Sequence, residues 1–242
     1  MINKKERVIL KLSGEALTNS NENIYSIDIL KNITEQISYL IKNYQLKIGI
    51  VIGGGNIFRG SLAKSLGMIK NEESADHMGM LATTINAIAL NIYLKNAKIK
   101  SIVLNAREIK GLLNQPSEEK ISEEFIKNDV IIFGGGTGKP YVSTDTAAAL
   151  RAIESKSSYI LMAKNNIDGI YDKDPNHFTN AKFFKKLTFK EFIDLKLQAI
   201  DHQALQKLEG TDIKIIVFNM NGKNNIIKLY ENKLKAKTIL TK

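Results

Sequence analysis

Apolar residues fall into two kinds of pattern along this chain. Short continuous runs rich in Ile and Val occupy Arg7–Leu12, Lys47–Ile52, Ser101–Leu104, Val130–Phe133, Tyr159–Ala163 and Ile213–Phe218. They are apolar on both faces and end in glycine or small polar residues, as buried parallel strands do. Between them lie segments of helical period, about Asp28–Asn43, Ala75–Ala97, Glu118–Lys127, Thr144–Lys156 and Gln198–Glu209. Alternation of strand and helix predicts a doubly wound α/β sheet. The prolines, Pro116, Pro140 and Pro175, all fall in predicted loops. No Ser/Pro-rich linker and no internal repeat divides the chain, so residues 1–242 read as a single domain.

In such sheets ligands bind beyond the carboxyl ends of the strands, and three of these strand ends carry glycine. The first strand runs into Lys11-Leu12-Ser13-Gly14-Glu15-Ala16. Here Lys11 either faces a ligand crevice or snorkels from a plain turn. The second runs into Gly53-Gly54-Gly55-Asn56-Ile57-Phe58-Arg59-Gly60. Consecutive glycines let backbone N–H groups approach an anion, and Arg59 adds a planar donor fork. The third runs into Gly134-Gly135-Gly136-Thr137-Gly138-Lys139-Pro140-Tyr141-Val142-Ser143-Thr144-Asp145, a glycine loop meeting a helix start. Helix N-termini attract anions; Asp145 either belongs to that site or serves only the helix dipole. Neither GxxxxGK[ST] nor GxGxxG is present, so any phosphate is held by another route. Asp76 either caps the longest helix or accepts ribose hydroxyls. Tyr171 and Asp174 either contact a base and sugar or simply belong to a turn-rich loop.

Composition narrows the chemistry. Cysteine is absent, which excludes disulfides, thiol catalysis and Cys-zinc sites. His77, His177 and His202 are widely separated, so a histidine-built metal site is not expected. No apolar run reaches the length of a membrane span, and the apolar stretch after Arg7 is too short for a signal peptide. A cytoplasmic protein without membrane contact is therefore expected. The net charge of +10 invites a nucleic-acid reading. However, 35 Ile, 31 Lys and 23 Asn betray a bias of the kind an AT-rich genome imposes, and Arg occurs only four times. The lysines are scattered without interleaved aromatics, so they read as a solvated surface, and no nucleic-acid partner is expected.

Taken together, the motifs resemble those of the bacterial-type uridylate (UMP) kinases of the amino-acid-kinase superfamily. The resemblance runs from about Arg7 to a last strand near Ile239. It rests on KLSGEA at 11–16, VIGGGNIFRG at 51–60, DHMGM at 76–80, GTGKPYVSTDTAAALRA at 136–152, AKNNIDGIY at 163–171 and Asp174-Pro175. It implies a three-layer αβα sandwich around a mostly parallel central sheet, and transfer of a phosphoryl group from ATP to UMP. It places ATP along Lys11, Leu12, Ser13, Gly14, Gly55, Arg59, Asn165, Tyr171 and Asp174. It places UMP on Gly54, Asp76, Thr137, Gly138, Lys139, Pro140, Tyr141, Val142, Ser143 and Thr144. Lys11, Arg59 and Asp145 become the catalytic residues, with Asp145 orienting Lys11 and a second lysine. Magnesium would arrive with ATP, so no protein metal ligand is named. The resemblance further implies a homohexamer inhibited by UTP. Family members activated by GTP carry a Gly-x-Gly-Ile-like stretch before the first long helix, where this chain has Asn21-Glu22-Asn23-Ile24-Tyr25-Ser26-Ile27-Asp28. The rival readings are another small-molecule kinase of the superfamily and a non-catalytic nucleotide-binding regulator.

Overall fold

The structure, a computed structural model, describes residues 6–19, 23–65, 67 and 72–242. Its strands in chain order are β1 (Arg7–Leu12), β2 (Lys47–Ile52), β3 (Ser101–Asn105), β4 (Val130–Gly134), β5 (Tyr159–Lys164), β6 (Ile170–Tyr171), β7 (Phe183–Phe184), β8 (Lys186–Thr188), β9 (Lys214–Asn219) and β10 (Thr238–Thr241). The helices are α1 (Ile27–Tyr44), α2 (Gly60–Ser65), α3 (Glu72–Asn96), α4 (Glu118–Lys127), α5 (Thr144–Glu154), α6 (Phe189–Asp194), α7 (His202–Leu208) and α8 (Asn225–Tyr230). A single 3-10 turn, Gly14–Leu17, follows β1.

Eight strands form one sheet in the order β3-β4-β2-β1-β5-β9-β10-β8. Every pairing in it is parallel except β9 with β10. The two-residue β6 and β7 make a separate antiparallel pair. The side-chain period of two sorts the sheet residues into two cores. Val8, Leu10 and Leu12 of β1 join Leu30, Ile33 and Ile37 of α1, Leu90 of α3 and Leu229 of α8. Ile9 joins Ile160 and Met162 of β5, the alanines of α5, Phe125 of α4 and Leu205 of α7. Helices therefore cover both faces, and the expected three-layer αβα sandwich with its mostly parallel sheet is what forms.

The six predicted strands all appear, β1 and β2 with the expected limits. The predicted helix from Gln198 is shorter. It begins at His202 because the Asp201 carboxylate accepts from Gln203 N and caps it there. The longest helix starts at Glu72 rather than Ala75. Asp76 thus lies inside the helix and cannot be its N-cap. The described residues contain no helix long and apolar enough to cross a membrane.

Candidate active site

Because β1, β2, β4 and β5 run parallel, their carboxyl ends lie along one edge of the sheet. Lys11 follows Ile9 on the α5 side of β1, and Lys164 follows Ile160 and Met162 on the same side of β5. A buried Ile or Leu contributes about 1.5–3 kcal/mol, so a lysine at such a position is costly unless paired. Lys11 Nζ is paired, lying 2.9 Å from Asp145 Oδ1, with little of either side chain exposed. Asp145 sits in the first turn of α5, whose N-cap Ser143 accepts from Thr146 N. Its Oδ2 accepts from Asp201 N at 3.3 Å. Burial disfavours the Asp145 carboxylate, but the ammonium groups of Lys11 and Lys164 and the Asp201 N–H outweigh it and hold its pKa below the ordinary value. Burial pushes the Lys164 ammonium down, opposed by Asp145 and reinforced by Lys11. Lys164 Nζ donates to Ala199 O at 2.7 Å. One carboxylate thus serves two ammonium groups. The sequence had offered only an unnumbered second lysine; the signal that identifies Lys164 is the period of two along β5.

The glycine loops converge beside this cluster. A side chain at Gly14 would place its Cβ 2.5 Å from Asn56 Oδ1 and 2.6 Å from Gly55 N, so only glycine lets the first loop touch the second. The third loop needs left-handed backbone at Gly135 (φ 74°), Gly136 (φ 58°) and Gly138 (φ 77°). Gly135 N donates to Thr83 Oγ1 at 2.8 Å, and the buried Arg151 reaches Gly136 O at 3.3 Å from below. Arg59 Nε donates to Gly55 O, and its Nη2 lies 2.7 Å from Glu15 Oε1.

Two cavities flank these loops. One of about 210 Å³ is lined by Gly54, Gly55, Asp76, Gly136, Lys139 and Val142–Thr144, among others. Thr137, Gly138, Pro140 and Tyr141 belong to the same loop but do not line it. The Asp76 carboxylate accepts from Tyr141 N at 2.6 Å, and Tyr141 holds a left-handed φ of 61°. Asp76 therefore ties α3 to the third loop. The other cavity, of about 770 Å³, is lined by Glu15, Gly55, Arg59, Asn165 and further polar residues. Lys11, Ser13 and Gly14 do not line it; the backbone of Ser13 and Gly14 packs against Gly53 of the second loop. The Leu12 side chain is wholly in the core, so only its backbone is available to a ligand. Tyr171 packs against Phe183, and Asp174 accepts from Asn176 N within its own turn. Neither lines this cavity.

Residues 6–219 match the family model described as Amino acid kinase family. The chain belongs to the amino acid kinase family. Within the family, it is 45% identical to the "Uridylate kinase" of Malacoplasma penetrans (strain HF-2), over 96% of this chain and 71% of that protein. It is 44% identical to the "Uridylate kinase" of Mycoplasma capricolum subsp. capricolum, over 98% of both chains. The crystal structure of UMP kinase from Ureaplasma parvum superposes with a TM-score of 0.92 at 39% identity, covering 99% of this chain and 100% of that one. The amino acid kinase fold extends to a more distant structure, from Archaeoglobus fulgidus, at a TM-score of 0.73 and 24% identity.

Proposed function

We propose that this amino acid kinase transfers the terminal phosphoryl group of ATP to UMP, giving UDP and ADP. The observation that carries the reading is Gly55, which lines both cavities. ATP in the larger cavity and UMP in the smaller one meet there, beside the junction of the first two loops. The kinship with uridylate kinases names the acceptor. The UMP phosphate is largely ionised near neutral pH, so the site needs no strong general base. Catalysis is then positioning plus neutralisation of charge on the transferring group. Lys11, oriented by Asp145, and Lys164, held by Ala199 O, supply fixed positive charge. Arg59 is half exposed, and its bond to Glu15 is worth little in water; it is free to exchange that carboxylate for phosphate oxygens. Magnesium arrives on the nucleotide. Asp145 and Asp76 are already engaged by Lys11 and Tyr141, which suits a metal held by phosphates and water rather than by a protein cage.

A coupled assay of ADP release tests this, with UMP against CMP, dUMP, carbamate, aspartate and isopentenyl phosphate. UMP is the expected acceptor; turnover of another acceptor with UMP inert overturns the reading. Asp76→Asn is expected to raise KM for UMP by about tenfold, the scale of one charged hydrogen bond, and to leave KM for ATP unchanged. A rise confined to ATP would place the acceptor site wrongly.

Self-association into a hexamer belongs to the same proposal. α3 exposes Met78, Leu81, Ile85 and Ile92 along one stripe, and an apolar row of this kind favours a partner copy. UTP inhibits by competing for the Thr137–Thr144 loop. Activation by GTP is expected to be weak. Asn21 and Glu22 lie outside the described residues, but Asn23 and Ile24 use their carbonyls to bond Thr18 Oγ1 and Asn56 Nδ2. That segment has no glycine to take up a second arrangement for an effector to select. Initial rates at subsaturating ATP, with and without GTP, check this; several-fold stimulation would refute it.

A further inference from the structure

Asn86 stands in the middle of α3 with no exposed surface, beside the buried Ala82, Ala87 and Leu90. An amide buried among apolar neighbours is costly unless its donors are used. Both uses lead to the second glycine loop. Asn86 Nδ2 donates to Gly53 O at 2.7 Å and to Asn56 Oδ1 at 2.7 Å. Asn56 Nδ2 donates back to Asn86 Oδ1 at 3.2 Å and onward to Ile24 O at 2.8 Å. The loop is thus gripped at both ends of Gly53–Asn56. Between those grips Gly54 presses on the same helix, where an added Cβ would lie 2.8 Å from Ala82 Cβ.

We infer that Asn86 is a positioning residue for phosphoryl transfer, acting through Gly53 and Asn56 to fix the direction of the Gly54 and Gly55 N–H groups. Consecutive glycines have no side chains to pack and wide backbone freedom, so a loop made of them keeps one geometry only if something else holds it. Asn86 lines neither cavity. The inference rests on the proposed ATP-to-UMP transfer, in which that loop lies between donor and acceptor. A misplacement of about 1 Å in such a site costs on the order of 10²-fold.

The test compares Asn86→Ala and Asn56→Ala with the full wild-type chain. It measures kcat, KM for each substrate and the melting midpoint. Asn86→Ala is expected to lower kcat by about tenfold or more, with both KM values changed far less. Asn56→Ala leaves the helix core and the Asn86 bond to Gly53 O intact, but Asn56 also lines the larger cavity, so its kcat loss counts for the inference only if KM for ATP stays unchanged. It is expected to show the same split, smaller, with little change in midpoint. A lowered midpoint with wild-type kcat in both variants shows a merely structural role and overturns the inference. If Asn86→Ala does not fold, Asn56→Ala decides, and wild-type kcat there overturns it. A wild-type chain inert toward UMP overturns the proposed function and this inference together; an active one with unaffected variants overturns the inference alone.

Discussion

Replacing Lys11 with alanine is expected to lower turnover by about 10²–10³-fold, the scale of losing one preorganised contact to developing charge. UMP binding should change far less. Lys11 sits at the end of β1 with its ammonium already fixed at 2.9 Å from Asp145, so it needs no reorganisation when charge moves onto the transferring phosphoryl group. It lines neither the UMP cavity nor the larger cavity, so its removal is expected to weaken binding less than it slows turnover. Steady-state kinetics with both substrates varied check the split. A Lys11→Ala enzyme that keeps more than half of wild-type turnover would remove Lys11 from the mechanism. The loss should fall mainly in kcat; a loss confined to KM would make the residue a binding group instead.

Asp145→Asn is expected to cost a similar factor by a different route. The asparagine keeps the size of the side chain, but it cannot neutralise two neighbouring ammonium groups. Lys11 and Lys164 then repel one another without a compensating charge, and Lys11 drifts from the position that Asp145 fixes, while Lys164 keeps its bond to Ala199 O. The pH profile separates this from simple loss of structure. Burial already lowers the Lys164 pKa, and the nearby Asp145 opposes that shift. Without the carboxylate the opposition disappears, so Lys164 loses its proton at lower pH. The alkaline fall of kcat should accordingly move to lower pH in Asp145→Asn, and an unmoved limb would refute the coupling. The wild-type carboxylate has its pKa lowered, so the stability it contributes is present above its unfolded-state pKa and lost as pH falls through the folded-state value. Lys11→Ala combined with Asp145→Asn should lose little beyond either alone, because the two act as one unit.

The strand-helix alternation was legible because each long strand is apolar on both faces, and that is a property of local composition. The pieces that sequence reading missed are short. β6 and β7 have two residues each and β8 has three, too few to show any period. α2, α6 and α8 have six residues each and are one or two turns long. At the site, the glycine loops and Lys11 stood out because they follow strands directly. Lys164 did not, since no glycine loop follows it; the period of two along β5 puts it on the same side as Lys11, but only the packing shows that the two share the field of Asp145. Asn86 carried no signal at all: a polar residue within a long helix reads as a solvated position, and only the packing reveals that it faces inward. Asp76 was open to two readings, a helix cap or a ribose acceptor, and the structure removes the first. Its place near the predicted helix start suggested a cap, but the helix begins a full turn earlier and frees the carboxylate for the third loop.

The strand order also governs how the sheet is completed. Among the described residues β8 has one neighbour, β10, and β10 lies between β8 and β9. Residues 186–188 therefore have no place in the sheet until residues 238–241 have been synthesised and have paired with β9. Before that, β9 presents Ile215, Ile216 and Val217 along an open strand edge, which is the kind of surface that recruits other chains. A nascent or shortened polypeptide ending before Thr238 thus exposes a sticky border, and β10 acts as the closing stave that hides it.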